Sequence, residues 1–297
     1  MRMDGRRRSG NVDDRRGQRA GGGKVIGGGI VGILIVAAIT LFSGGSISDV
    51  LHNLSSSGQL SSLGGSPNAQ MASDYQPDAE EERLAEFASQ VLAGTEDVWT
   101  AEFRRQGWGE YRPPKMVLFT DAVSSGCGNA TSQTGPFYCS ADQTVYIDLS
   151  FFKNMKKQIG ADGDFAYAYL IAHEVGHHVQ YLRGILTDAH RRMQQVSEKE
   201  ANQISVRLEL QADFLAGVWA NHDNKMFNSI EPGDIENAIN AASKIGDDYL
   251  QKQAYGYEIP DSFNHGRSEQ RVRWLKKGID SGIVDYGDTF SPAYSQL

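Results

Sequence analysis

His173-Glu174-Val175-Gly176-His177 places two imidazoles and a carboxylate in a pattern suited to metal-assisted hydrolysis. On an α-helix, positions i and i+4 lie one above the other on one face, so both histidines can offer a ring nitrogen to one Zn²⁺. Glu174, beside the first histidine, can then act as general base on a zinc-activated water. Zinc lowers the pKa of such a water to roughly 7, which provides a nucleophile at neutral pH. Three fixed positions in five also arise by chance on a solvated helix, so the flanking residues matter. Leu170, Ile171, Val175 and Val179 recur at helical spacing, Asp164 can cap the start, and Gly184 can end the helix after Arg183.

A catalytic zinc takes three protein ligands and keeps a fourth position for water. The candidate third ligand is Glu209, in the strongly helical stretch Arg207 to Gly217. Glu209 and Asp213 are four apart and share a face. Ser197 and Glu200 have the spacing of a capping box for the start of this second helix. A lone acidic pair of this kind reads as solvated helix charge, but an upstream H-E-x-x-H changes that balance.

The pattern resembles the gluzincin class of metallopeptidases, in which H-E-x-x-H is followed on a second helix by E-x-x-x-D. The resemblance implies Glu209 as third zinc ligand and Asp213 as the carboxylate that hydrogen-bonds a zinc-binding histidine, His173. A ligating imidazole almost always donates its other N–H to a carboxylate or carbonyl, which agrees. A narrower similarity lies in the order of Gly135-Pro136-Phe137-Tyr138-Cys139, Val145-Tyr146-Ile147-Asp148, His173 to His178, Glu209 to Asp213, His265-Gly266 and Glu269-Gln270-Arg271. That order is similar to a bacterial family of neutral zinc metallopeptidases with one N-terminal membrane span. The similarity covers nearly the whole chain, most specifically Arg112 to Trp274. It implies a zincin-like α+β domain, mainly helical with a small sheet, preceded by one transmembrane helix.

The elements needed to hold such a site are legible in outline. Glu80 to Arg105 reads as a long amphipathic helix with Leu84, Phe87, Val91, Leu92 and Val98 inward, and Lys115–Thr120 and Thr144–Leu149 read as strands. The two metal helices follow, then helices over Pro232–Gln251 and Arg267–Gly278. In zincins the strand beside the active-site helix is an edge strand to which substrate adds by backbone pairing. By that analogy Val145, Tyr146 and Ile147 are the substrate-binding candidates, the alternative being an ordinary buried strand. His178, five residues after His173, points away from the first histidine and reads as a helix-surface or supporting residue. His265 or Arg271 can stabilise a tetrahedral oxyanion, or can belong to a capping loop with a structural arginine. His52, His190 and His222 carry no spacing signal and are expected to be exposed.

The net charge of −8 conceals an asymmetry. Residues 1–24 hold eight Lys/Arg against three acids, which leaves −13 for the remainder. The basic end precedes an uncharged apolar run, residues 25–42, long enough to span a membrane. The positive-inside rule then places residues 1–24 in the cytoplasm and the domain outside. A cleaved signal peptide is the rival, but its apolar core is usually shorter and Phe42-Ser43-Gly44-Gly45 is a poor cleavage site. Residues 43–77, rich in Ser and Gly, read as a flexible linker, with a short helix near Ser48–Asn53, and residues 78–297 as the zinc domain. Cys127 and Cys139 would close a disulfide in an oxidising compartment, whether periplasmic or extracellular; their spacing is not that of a zinc cysteine pair.

The sequence therefore supports a membrane-anchored zinc metallopeptidase acting on a peptide or protein substrate, with no nucleic-acid partner. Zn²⁺ would be held by His173, His177 and Glu209, and Glu174 would be the base. The rival is a non-catalytic, zinc-stabilised, membrane-tethered binding module, against which the presence of Glu174 argues. A soluble hydrolase of non-peptide amides is a weaker third reading.

Overall fold

The computed structural model describes residues 1–18, 75–131 and 134–297. Over these residues the architecture is α+β, with eight α-helices, a four-stranded sheet and a two-stranded hairpin. Helix α1 (Ala79–Gln106) begins where the Asp78 carboxylate accepts from the Glu81 N–H and ends at Gly107, which takes a left-handed turn. Leu84, Phe87, Val91, Leu92 and Val98 are all buried, as its periodicity predicts.

The sheet has the order β1–β2–β6–β5, built from Val12–Asp14, Lys115–Phe119, Thr144–Asp148 and Phe137–Cys139. The first three run parallel and β5 is antiparallel to β6. Alternate residues face opposite sides, as a pleated strand requires. Met116, Leu118, Val145 and Ile147 join the main helical core, whereas Val117, Phe119 and Tyr146 join a second cluster under the hairpin β3 (Ala122–Ser125) and β4 (Gly128–Thr131). The Cys127–Cys139 disulfide is formed and ties the hairpin turn to the end of β5.

Helix α2 (Leu149–Ile159) follows β6 directly, with the Asp148 carboxylate capping Ser150 N–H. Next come α3 (Asp164–Leu182), α4 (Ile185–Met193) and α5 (Glu198–Phe227). Asp164 is not the cap of α3; Gly163 holds that place, and Asp164 pairs with Arg83 at 2.9 Å. The capping box at the start of α5, Ser197 with Glu200, is present. The single helix expected over Pro232–Gln251 is two, α6 (Asp234–Lys244) and α7 (Asp247–Tyr255), because Gly246 takes an extended conformation against the backbone of Ser268. Helix α8 (Ser268–Ser281) closes the bundle.

Two glycine contacts set the spacing of the helices that carry the site. On α3, a Cβ at Gly176 would lie 3.1 Å from the Ala212 carbonyl, so the absent side chain lets α5 approach closely. On α5, a Cβ at Gly217 would lie 2.9 Å from the Gly278 Cα, so α5 and α8 cross backbone to backbone.

The boundary read at residue 24 lies outside the described residues. Residues 1–18 pack on the domain, where Val12–Asp14 form β1 and Arg6 meets the buried Asp223 at 2.6 Å. Residues 25–42, the expected membrane span, and linker residues 43–74 with their expected short helix lie outside the described residues. No helix among the described residues is long and apolar enough to cross a membrane.

Candidate metal centre

His173 and His177 occupy one face of α3, one turn apart, and Glu209 on α5 faces them. The two Nε2 atoms are 3.2 Å apart. Glu209 Oε2 is 3.3 Å from His173 Nε2, and Oε1 is 3.3 Å from His177 Nε2. A tetrahedral zinc with bonds of about 2.0–2.1 Å separates its ligand atoms by about 3.3–3.4 Å. The two imidazole nitrogens are close to that spacing, Glu209 turns one oxygen toward each of them, and with one ligand atom taken from each residue all three atoms lie within 4.8 Å of one another.

The hydrogen bonds behind the histidines point the same way. His173 Nδ1 is 2.8 Å from Asp213 Oδ1, and His177 Nδ1 is 2.8 Å from Gln180 Oε1. The amide of Gln180 is oriented by its own bond, since Nε2 donates to the Leu208 carbonyl at 2.8 Å. Both partners offer acceptors, so each histidine donates from Nδ1 and presents Nε2 to Glu209. Burial opposes charge on His173, but Asp213 and Glu209 outweigh it and carry its pKa up to about 10, so without a metal the ring also holds a proton on Nε2, which a metal would displace. For Glu209, burial pushes upward, yet the two histidines hold the carboxyl well below its ordinary range. Chemically the donor set is two imidazoles and one carboxylate, a fit for Zn²⁺.

Glu174 is buried beside the ligands and lines the same pocket. Burial raises its pKa, against the pull of His173 and His177. It accepts a backbone hydrogen bond from Tyr138 on β5, while Oε2 has no partner. A buried carboxylate oxygen without a partner is costly, and here it lies in the pocket that His173, His177 and Glu209 line. Much of the remaining pocket lining is apolar, with Phe151, Leu170, Ile245 and Leu250.

Asp213 collects four donors. Tyr169 Oη gives 2.6 Å, His173 gives 2.8 Å, and the Arg271 guanidinium gives 2.8 and 2.9 Å. Arg271, on α8, is 2 % exposed and lies 3.5 Å from Glu209 Oε2. Its guanidinium makes two hydrogen bonds to Asp213 and also lines the pocket. His265 differs. Its Nδ1 is 3.0 Å from Asp247 Oδ1, and Asp247 Oδ2 accepts from the His265 and Gly266 backbone N–H groups. Asp247 thus fixes the tautomer and raises the pKa against the effect of burial, and the ring lines the pocket beside the ligands.

Several expectations need correction. Val145, Tyr146 and Ile147 do not lie on an edge, because β6 is flanked by β2 and β5. Tyr146 also faces the hairpin side, stacked on Phe137 at 4.8 Å. The edge is β5, and Gly135, Pro136 and Phe137 at its start line the pocket. The strand β5, three residues long, was not read from the sequence. His178 is fully buried and links β5 to α3: Tyr138 Oη donates to Nδ1 at 2.9 Å and Nε2 donates to the Arg112 carbonyl at 2.7 Å. Burial pushes its pKa down to about 4, so it stays neutral. His190 is half-buried rather than exposed, His222 is bound to the Gly282 carbonyl at 2.8 Å, and His52 lies outside the described residues. Tyr169, Gln180 and Asp247 were not singled out from sequence. The first two had a signal, at i−4 from His173 and i+3 from His177; Asp247 had none.

The family model described as "Putative neutral zinc metallopeptidase" matches residues 1–290, so the match includes the N-terminal segment as well as the metal centre. The Escherichia coli (strain K12) protein named "Uncharacterized protein YpfJ" is 44% identical over 300 residues, covering 98% of this chain and 99% of the relative. The Mycobacterium tuberculosis (strain ATCC 25618 / H37Rv) protein named "Uncharacterized protein Rv2575" is 42% identical over 193 residues, covering 62% and 64% respectively. No solved structure matches. The chain belongs to the family that this model describes.

Proposed function

We propose that this family member is a gluzincin-like zinc metallopeptidase, with His173, His177 and Glu209 as the zinc ligands. The observation that carries the reading is the convergence of two imidazole nitrogens and the Glu209 carboxylate, one ligand atom from each within 4.8 Å of the others, beside a buried carboxylate, Glu174, that has one oxygen unpartnered. Bound there, zinc supplies Lewis acidity and lowers the pKa of a ligated water to roughly 7. Glu174 takes the proton of the attacking water as its oxygen bonds to the peptide carbonyl carbon. It then returns that proton to the amide nitrogen as the C–N bond breaks. His265, which contacts Asp247 and lines the pocket, would donate to the oxygen of the tetrahedral intermediate. A substrate backbone would run along the edge strand β5, where Gly135 and Pro136 open the pocket.

The burial of Glu174 argues against a purely structural metal, since a binding module gains nothing from an unpartnered carboxylate. Residues 25–42 are the segment through which the chain would meet a membrane, and the disulfide favours an oxidising compartment for the domain. The test is cleavage of a mixed peptide library by zinc-loaded protein, wild type beside Glu174→Gln. Cleavage by the first and not the second is expected. Equal cleavage by both, or none by a zinc-loaded wild type, would overturn the assignment.

A further inference from the structure

The N-terminal segment has a built receptor on the domain. Arg6 meets Asp223 through two hydrogen bonds, of 2.6 and 3.2 Å, and Asp223 is fully buried and also accepts from Ser229 Oγ at 2.6 Å. Helix α1 makes room for this pair at Gly94: a Cβ there would lie 2.6 Å from the Arg6 guanidinium and 2.7 Å from Asp223. The α-amino group of Met1 is itself held, 3.0 Å from Asp234 and 3.3 Å from Glu231. Ser9 Oγ donates to Glu96 at 2.6 Å, and β1 then adds a parallel strand to the sheet.

This docking gives the basic run another role. Five of the six arginines in residues 1–18 lie beside carboxylates of the domain, among them Arg7 with Glu96 and Asp97 and Arg16 with Glu82. The positive charge that would hold the segment on the cytoplasmic side is matched to an acidic face of the same chain. The segment also leaves the domain where the chain returns to it. Gly17 packs against Tyr75, closely enough that any Cβ at residue 17 would overlap the ring.

We propose that residues 1–18 are a ligand of the domain itself, so that this segment and the metal centre lie on the same side of any membrane the chain contacts. A topology that places them on opposite faces would leave Asp223 buried without its cation and remove β1 from the sheet. The inference is independent of catalysis.

The test uses the full chain in its native host, with one added cysteine, by Gly10→Cys or Tyr257→Cys, beside the unsubstituted chain as background for Cys127 and Cys139. Both positions are exposed, and a Cβ at residue 10 meets nothing within 4 Å. Each variant is treated with a membrane-impermeant maleimide before and after permeabilisation. Equal behaviour is expected, either both labelled in intact cells or both only after permeabilisation; labelling of one and protection of the other in intact cells would overturn the proposal. Hydrogen exchange on the purified full chain gives a second reading without substitutions. The Val12–Asp14 amides that pair in the ladder should be protected by at least 100-fold relative to a free peptide, and exchange at free-peptide rates would overturn the docking.

Discussion

Replacing Asp213 by asparagine changes one atom and should damage both metal binding and stability. Asp213 accepts from Tyr169, His173 and twice from Arg271, all within 2.9 Å. An amide keeps one acceptor and turns two N–H donors toward groups that are themselves donors. Arg271 would then be a buried guanidinium without its carboxylate, and breaking a buried pair in this way costs about 3–5 kcal/mol. That is a large share of a typical domain stability of about 5–15 kcal/mol. The second consequence is chemical. His173 loses the acceptor that keeps its proton on Nδ1 and its Nε2 lone pair toward Glu209, and loss of such a partner weakens metal affinity about 10–100-fold. Chelator competition at pH 7.5 measures the affinity, and chemical denaturation of the metal-free protein measures the stability. An unchanged zinc dissociation constant in folded Asp213→Asn protein would refute the reasoning about how the site is oriented.

Other consequences are independent of that network. His265→Ala should leave zinc content unchanged and lower kcat by about 10²–10³, the usual effect of losing one oxyanion donor; an unchanged kcat in steady-state peptide hydrolysis removes His265 from the mechanism. Burial raises the Asp148 pKa from 3.8 to about 6. For a carboxyl raised in the fold, the stability contribution is present below the unfolded value and lost as pH rises through 6. Asp148→Asn keeps the acceptor for Ser150 N–H and should stabilise by about 1–3 kcal/mol at pH 7.5, an advantage that fades toward pH 4. Urea midpoints across that range check it, and no gain at pH 7.5 contradicts it. Gly217→Ala must push α8 from α5, at a cost of about 1–3 kcal/mol, and should also weaken zinc binding because α8 carries Arg271; wild-type values for both would show that the crossing is not tight.

The residues of the candidate metal centre were legible because their geometry is local. His173, Glu174 and His177 need only one helix, and the apolar residues around them specify it. Glu209 and Asp213 were legible for the same reason, being one turn apart on a second helix whose capping box was visible at Ser197 and Glu200. What failed was long-range. Which strand forms the sheet edge depends on pairing that periodicity does not encode, and the three-residue β5 is too short to show a period, so Val145–Ile147 took the edge role although β5 occupies the edge and supplies the N–H on Glu174. Arg271 offered two roles in sequence, and only the fold, by placing α8 across α5, brings it against Asp213. The N-terminal arginines beside an apolar run read as a topology signal; their carboxylate partners on α1 and at Asp223 are separated from them by the whole intervening segment.

The most direct test of the central claim is metal content of the purified protein by atomic emission, for wild type, Glu174→Gln and Glu209→Ala side by side. The account predicts one zinc per chain in wild type and Glu174→Gln and markedly less than one in Glu209→Ala. No zinc in folded wild-type protein, or full zinc retained in Glu209→Ala, would contradict it.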